Sequence, residues 1–169
     1  LSDIEGQSIN EDTNFELIIS ASDVDEDDLT YYALIDDETV NSYEISDNIL
    51  SITPLDDMNG DIQVTVNTTD GELGDSKTFT LNVIPQPDPP ELEEISNQEI
   101  NEDENFVILL NATDVDGDEL TFYGSSDIEG TVISVEDNLM IVDPPQDYFG
   151  DMIVTAGVTD GIYNVENSF

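Results

Sequence analysis

The chain repeats itself, and this repeat limits the possible folds more than any other feature. Ile4-Glu5-Gly6-Gln7-Ser8-Ile9-Asn10-Glu11-Asp12 returns as Ile95-Ser96-Asn97-Gln98-Glu99-Ile100-Asn101-Glu102-Asp103, at an offset of 91 (95 − 4). Ala21-Ser22-Asp23-Val24-Asp25 likewise returns as Ala112-Thr113-Asp114-Val115-Asp116. Further on, Thr69-Asp70-Gly71 matches Thr159-Asp160-Gly161 at an offset of 90, so one loop residue has been lost between these blocks. A module of roughly 90 residues is duplicated, and each copy must bury its own core.

Each copy reads as short strands. Phe15, Leu17 and Ile19 alternate with Glu16, Ile18 and Ser20, and Ile62, Val64 and Val66 alternate with Gln63, Thr65 and Asn67. Period two with β-branched residues marks half-buried strands, and Asp-, Asn- and Gly-rich turns separate them. No window has helical periodicity. In copy 1 the expected strands are Ile4–Ile9, Asn14–Ala21, Leu29–Leu34, Tyr43–Ser46, Ile49–Thr53, Ile62–Asn67 and Lys77–Ile84. The fold expected is all-β: two tandem seven-stranded, immunoglobulin-like Greek-key sandwiches, the second truncated in its last strand. The modules are placed at 1–86 and 87–169, joined by a linker at about 85–90. Pro85, Pro87, Pro89 and Pro90 should make that linker stiff and extended, stacking the modules end to end. With no initiator Met, no signal peptide and a last residue inside a strand, the sequence reads as part of something longer.

Charge excludes many functions. There are 42 acidic residues against one base, Lys77, and no histidine or cysteine. Without a basic surface, nucleic acid and anionic membranes are not expected partners, and no apolar run is long enough to insert in a membrane. Disulfides, thiolate nucleophiles and histidine-based catalysis or zinc binding are also gone. Two readings of the acidity remain: a solubilising, salt-adapted surface, or carboxylates gathered around a hard cation.

Position favours the cation. With strands alternating in direction, Glu11, Asp56 and Asp57 fall at the exit pole of copy 1, and Asp114, Asp116 and Asp160 at the entry pole of copy 2. With Asp88 in the linker, these residues are expected to share one junction. Calcium accepts such flexible, oxygen-only, multidentate sets better than magnesium. Asp23, Asp25 and Asp70 would be half-sites for a preceding module, and Glu102 and Asp147 for a following one.

These residues resemble a known family. Glu in the first turn, Pro-Leu-Asp before the sixth strand, Asp-x-Asp in the second loop and Asp after the sixth strand look like the calcium-ligand set of cadherin repeats. The wording Ala-Thr-Asp-Val-Asp-Gly-Asp-Glu-Leu-Thr at 112–121 is closer still to bacterial cadherin-like repeats of surface adhesins and secreted multidomain proteins. The resemblance implies bound Ca²⁺, neighbouring repeats of the same chain as partners, an extracellular or cell-surface location, and contact with a cell-surface protein or glycan. Three departures stand out. Pro87 precedes Asp88 where the family carries Asn-Asp, Asp57-Met58 replaces an Arg-Glu, and Gln146 replaces Asp56, which makes Asp57 and Asp147 the better-matched pair.

The reading is therefore a calcium-binding structural or adhesive repeat that stiffens an extended protein, not an enzyme. Its first rival is a carbohydrate-binding accessory module using Tyr31, Tyr32, Phe122, Tyr123 or Tyr148, although core or rim packing is the commoner fate of such rings. The second is a hydrolase built on paired carboxylates, for which a small closed sandwich offers little room.

Overall fold

The computed structural model describes residues 1–35 and 38–169; Asp36 and Asp37, which the sequence suggests are solvated surface, lie outside the described residues. The chain is all-β and divides into two compact units, Leu1–Gln86 and Pro87–Phe169.

In the first unit the strands are β1 (Gln7–Asn10), β2 (Phe15–Ile18), β3 (Thr30–Ile35), β4 (Val40–Ser46), β5 (Ile49–Pro54), β6 (Gly60–Thr69) and β7 (Gly74–Ile84). They form a four-stranded sheet, β1-β7-β6-β3, and a three-stranded sheet, β2-β5-β4. Alternation makes the core: Ile62, Val64 and Val66 of β6 and Phe79, Leu81 and Val83 of β7 point the same way and meet Phe15, Val40, Leu50 and Ile52 of the other sheet. Burying an aliphatic or aromatic side chain of this size contributes about 1.5–3 kcal/mol, so truncating Leu50 to Ala should cost about 2–5 kcal/mol.

One sequence expectation needs correction here. The first strand forms at Gln7–Asn10 rather than Ile4–Ile9, and it pairs with β7 in parallel, Gln7 opposite Leu81 through Asn10 opposite Ile84. Parallel pairing needs no hairpin and leaves no mark in the local sequence, whereas the alternation of β2 and β6 does.

The second unit keeps the scheme but not every strand. It contains β8 (Glu91–Leu92), β9 (Phe106–Leu109), β10 (Ala112–Thr113), β11 (Thr121–Ser126), β12 (Val132–Glu136), β13 (Leu139–Asp143), β14 (Val154–Thr159) and β15 (Asn164–Ser168). Sheets β12-β13-β9 and β11-β14-β15 enclose a core of Leu110, Met140, Val142, Val154 and Ala156. The repeat of the first strand, expected near Ile95–Ile100, is not a strand. Its counterpart β1 is held by parallel pairing with Leu81–Ile84.

Local fastenings recur between the units. Asn48 donates its side-chain amide to Ile19 O at 2.9 Å, and Asn138 does the same to Leu110 O at 3.0 Å. Each Asn follows an Asp in the left-handed region, Asp47 at φ 55° and Asp137 at φ 54°, a conformation that Asp and Asn tolerate better than most residues. The pair Asn48/Asn138 stands at offset 90 whereas Ile19/Leu110 stands at 91, so the lost residue falls between β2 and β5.

Candidate metal centre

In the second unit the strand register brings three acidic segments to one end of the sandwich. β8 and β10 pair with Glu91 opposite Thr113, so Asp88 and Asp114 both lie just beyond that end of the ladder. β11 begins with Thr121 opposite Thr159, so the loop before β11, carrying Asp116 and Asp118, sits beside Asp160, which follows β14.

The loops are folded by the carboxylates themselves. The Asp88 amide donates to Asp116 Oδ2 at 2.9 Å, and the Asp118 amide to Asp114 Oδ1 at 3.0 Å. Asp160 Oδ1 accepts two amides, from Ile162 and Tyr163, each at 2.6 Å. Burial pushes the Asp160 carboxyl up, but the Tyr163 and Ile162 amides together hold it below the usual 3.8. It is therefore ionised at neutral pH.

One oxygen of each key carboxylate is used this way, and the other is not. Asp114 Oδ2 and Asp160 Oδ2 are shielded from solvent and accept no hydrogen bond. Asp114, Asp116 and Asp118 each offer an oxygen, all lying within 4.8 Å of one another. Like charges at such distances repel by about 1 kcal/mol per pair in water and by more where water is excluded. No base offsets them: Lys77 belongs to the first unit, where it pairs with Asp3 at 2.9 Å. Shielded carboxylate oxygens with neither hydrogen-bond donor nor ammonium fit a hard divalent cation.

The first unit repeats the loop geometry. Asp23 Oδ1 accepts the amides of Asp25 at 2.8 Å and Asp27 at 3.2 Å, and Asp70 Oδ1 those of Glu72 at 2.7 Å and Leu73 at 2.6 Å. The Leu73 and Glu72 amides hold the Asp70 carboxyl below its ordinary value. Among the described residues, however, Asp23, Asp25 and Asp27 do not form a close three-carboxylate group, unlike Asp114, Asp116 and Asp118.

Glu11 is 3% exposed, and its carboxylate accepts the Gln86 amide. Glu102, its repeat, is exposed. Asp12 Oδ1 accepts the Asp57 amide at 3.2 Å, and Asp103 Oδ1 the Asp147 amide at 2.8 Å, so Asp57 and Asp147 occupy matching turns, both at positive φ. Asp56 differs: its Oδ1 accepts the Asn41 side-chain amide at 3.4 Å.

Sequence reasoning left Asp118 open between joining the loop ion and capping its turn, and did not select Asp12 as a site residue. The signal was present, since both belong to repeated motifs, Asp-Val-Asp-x-Asp and Asn-Glu-Asp, but a turn-capping role explains such residues equally well. Of the rings weighed as a sugar platform, Tyr31, Phe122 and Tyr148 are half-buried, Tyr32 is exposed, and Tyr123 donates to Glu166 at 3.1 Å.

Residues 86–168 match the family model of a cadherin-like domain. No curated protein matches the sequence. Among solved structures, Drosophila N-cadherin EC1-4 is 17% identical with a TM-score of 0.57, the match covering 98% of this chain and 46% of that one. The N-terminal eight Ig domains of Down Syndrome Cell Adhesion Molecule are 12% identical at a TM-score of 0.48, with 99% and 26% covered. An endo-fucoidan hydrolase of glycoside hydrolase family 107 is 19% identical at 0.42, with 99% and 27% covered. This chain thus spans between about a quarter and a half of those structures' lengths. At such identities the N-cadherin likeness speaks for the fold alone, and the other two, below a TM-score of 0.5, add no weight. With the sheets and the family match together, residues 86–168 are a cadherin-like β-sandwich domain.

Proposed function

We propose that this chain is a calcium-binding structural or adhesive repeat of an extended secreted or cell-surface protein, and that it is not a catalyst. The observation that supports this best is the pair of shielded, partnerless oxygens, Asp114 Oδ2 and Asp160 Oδ2, at the end of the second module. Asp88, Asp114, Asp116, Asp118 and Asp160 would hold the ion. The cation would offset charge that otherwise opposes folding of the loops. Asp88 belongs to the linker, and its amide already bonds Asp116. An ion that also recruits the Asp88 carboxylate would tie the linker to the second module and stiffen it. The seven-stranded Greek-key sandwich would be the form common to both repeats, with Asp23, Asp25 and Asp70 the weaker equivalent site in the first. Neighbouring repeats of the same protein are the expected partners, and a cell-surface protein or glycan the expected distal target.

Chelation tests this reading. A ligand at about 100 times its dissociation constant stabilises the native state by about 2.7 kcal/mol, which for a module of this size is a melting shift of roughly 10 °C or more. Removing calcium should lower the second module's transition by that amount, and sodium at matched ionic strength should restore only part. Equal protection by sodium would mean that the carboxylates form only a salt-adapted surface.

A further inference from the structure

The two modules differ on the outer face of one sheet. In β9, β12 and β13 alternate residues face the core: Phe106, Ile108, Ile133, Val135, Met140 and Val142. The residues between them point outward and lie in rows across the sheet. Val107 is opposite Ile141, which is opposite Ser134; Leu109 is opposite Leu139, which is opposite Glu136; and Val132 is opposite Asp143. Val107 is 54%, Leu109 59%, Leu139 40% and Val132 61% exposed. The matching rows of the first module are Glu16, Ser51 and Glu44, then Ile18, Ile49 and Ser46, with Ser42 opposite Thr53. The second module therefore carries Val107 where the first has Glu16, Ile141 where it has Ser51, and Val132 where it has Ser42. Phe106–Leu110 and Leu139–Val142 are apolar without interruption, the pattern of strands covered on both faces rather than one. The last strand, β15, belongs to the other sheet.

We propose that this face docks a protein partner whose contact surface has an apolar centre and a rim of Lys or Arg. Charge complementarity selects that chemistry. Glu136 and Asp143 share the face with Leu139 and Val132, and the chain carries a net charge of −41. A cationic rim is therefore attracted where an acidic one is repelled. The same charge disfavours a second copy of this chain. An apolar centre inside a polar rim is the anatomy of a specific interface, and a contiguous exposed apolar patch on an acidic surface marks such a site. A glycan fits poorly, because the outward strand positions hold aliphatic side chains and no aromatic ring to stack on a sugar. The face contains none of the carboxylates assigned to calcium, so it stands independently of that reading.

A short synthetic peptide alternating Val or Leu with Lys, titrated into the 169-residue protein, tests the proposal by methyl NMR. The Val107, Leu109, Leu139 and Ile141 methyls should shift saturably, with Ile18 and Ile49 of the first module unmoved. The Val107→Glu, Ile141→Ser double variant, which carries the first module's own residues at these outward positions, should keep its melting transition yet bind about tenfold more weakly or worse. Val107→Glu adds an acid, so attraction by charge alone would instead strengthen binding. Peptides with Ser for Val and Leu, or Thr for Lys, should bind more weakly than the parent. No shifts at millimolar peptide, shifts spread over both modules, or equal binding by the variant or by either control peptide would overturn the proposal. Self-association of the native chain in sedimentation, lost in the double variant, would overturn it in favour of a second copy.

Discussion

Thr68→Val should stabilise the first module. Thr68 sits on the inward-facing series of β6, after Ile62, Val64 and Val66, and is 6% exposed. Its hydroxyl is out of contact with solvent and makes no hydrogen bond. The second module has Val158 at the matching position, at offset 90, and it is 0% exposed. A buried hydroxyl without a partner costs about 1–3 kcal/mol, and a methyl in its place keeps the branched shape while adding roughly 0.8 kcal/mol of apolar burial. Allowing for imperfect relaxation, the net gain should be about 1–2 kcal/mol. For a module of this size each kcal/mol moves the midpoint by about 4–8 °C, so the rise should be roughly 5–10 °C. Differential scanning calorimetry reads this directly: one transition should move and the other stay. Val158→Thr should lower the second module's transition by a similar amount. A first-module transition that is unchanged or lowered would show that the Thr68 hydroxyl is satisfied and that the reasoning fails.

Gly157→Ala should destabilise the second module by about 1–3 kcal/mol, because a Cβ there would lie 2.3 Å from Tyr123 Cζ. Burial and the Glu166 contact hold the Tyr123 phenol above its usual pKa, so the phenol displaced by Gly157→Ala should titrate at lower pH in an absorbance titration. Asp70 and Asp160 have depressed folded-state pKa values, so their contribution to stability is complete above the ordinary 3.8 and is lost as pH falls through the folded values. With no histidine in the chain, urea midpoints should be flat from about pH 6 to 8 and fall only in acid.

The side-chain alternation was legible because burial in a sandwich reads out every second residue. Ile19 is 1% exposed and its neighbour Ile18 is 72% exposed, as the pattern Phe15, Leu17, Ile19 requires. The aromatic pair Phe15 and Phe79, 6.1 Å between ring centroids, was visible only as two separate inward positions. Partner choice was not legible: β1 pairs with distant Leu81–Ile84, and the same motif near Gln98 forms no strand. At the site, the repeat singled out Asp114, Asp116 and Asp160, whose loops lie at one end of the second module. It could not tell an Asp that only caps its turn from one with a second oxygen held in reserve, because both roles use the same residue and spacing. The first oxygen is consumed by local amides in Asp23, Asp70, Asp114 and Asp160 alike. Only the folded surroundings show that Asp114 and Asp160 keep the second shielded.

Isothermal titration of calcium into the metal-free protein, compared with the Asp114→Asn, Asp160→Asn double variant, tests the central claim most directly. Asn keeps each side chain's size and can still accept the loop amides through its oxygen, so the fold should persist while two charges leave the site. The account predicts saturable calcium binding in the native chain and an affinity at least about tenfold weaker, a loss of about 1.4 kcal/mol, in the variant. Calcium heats that are absent from the native chain, or identical in the variant, would contradict it.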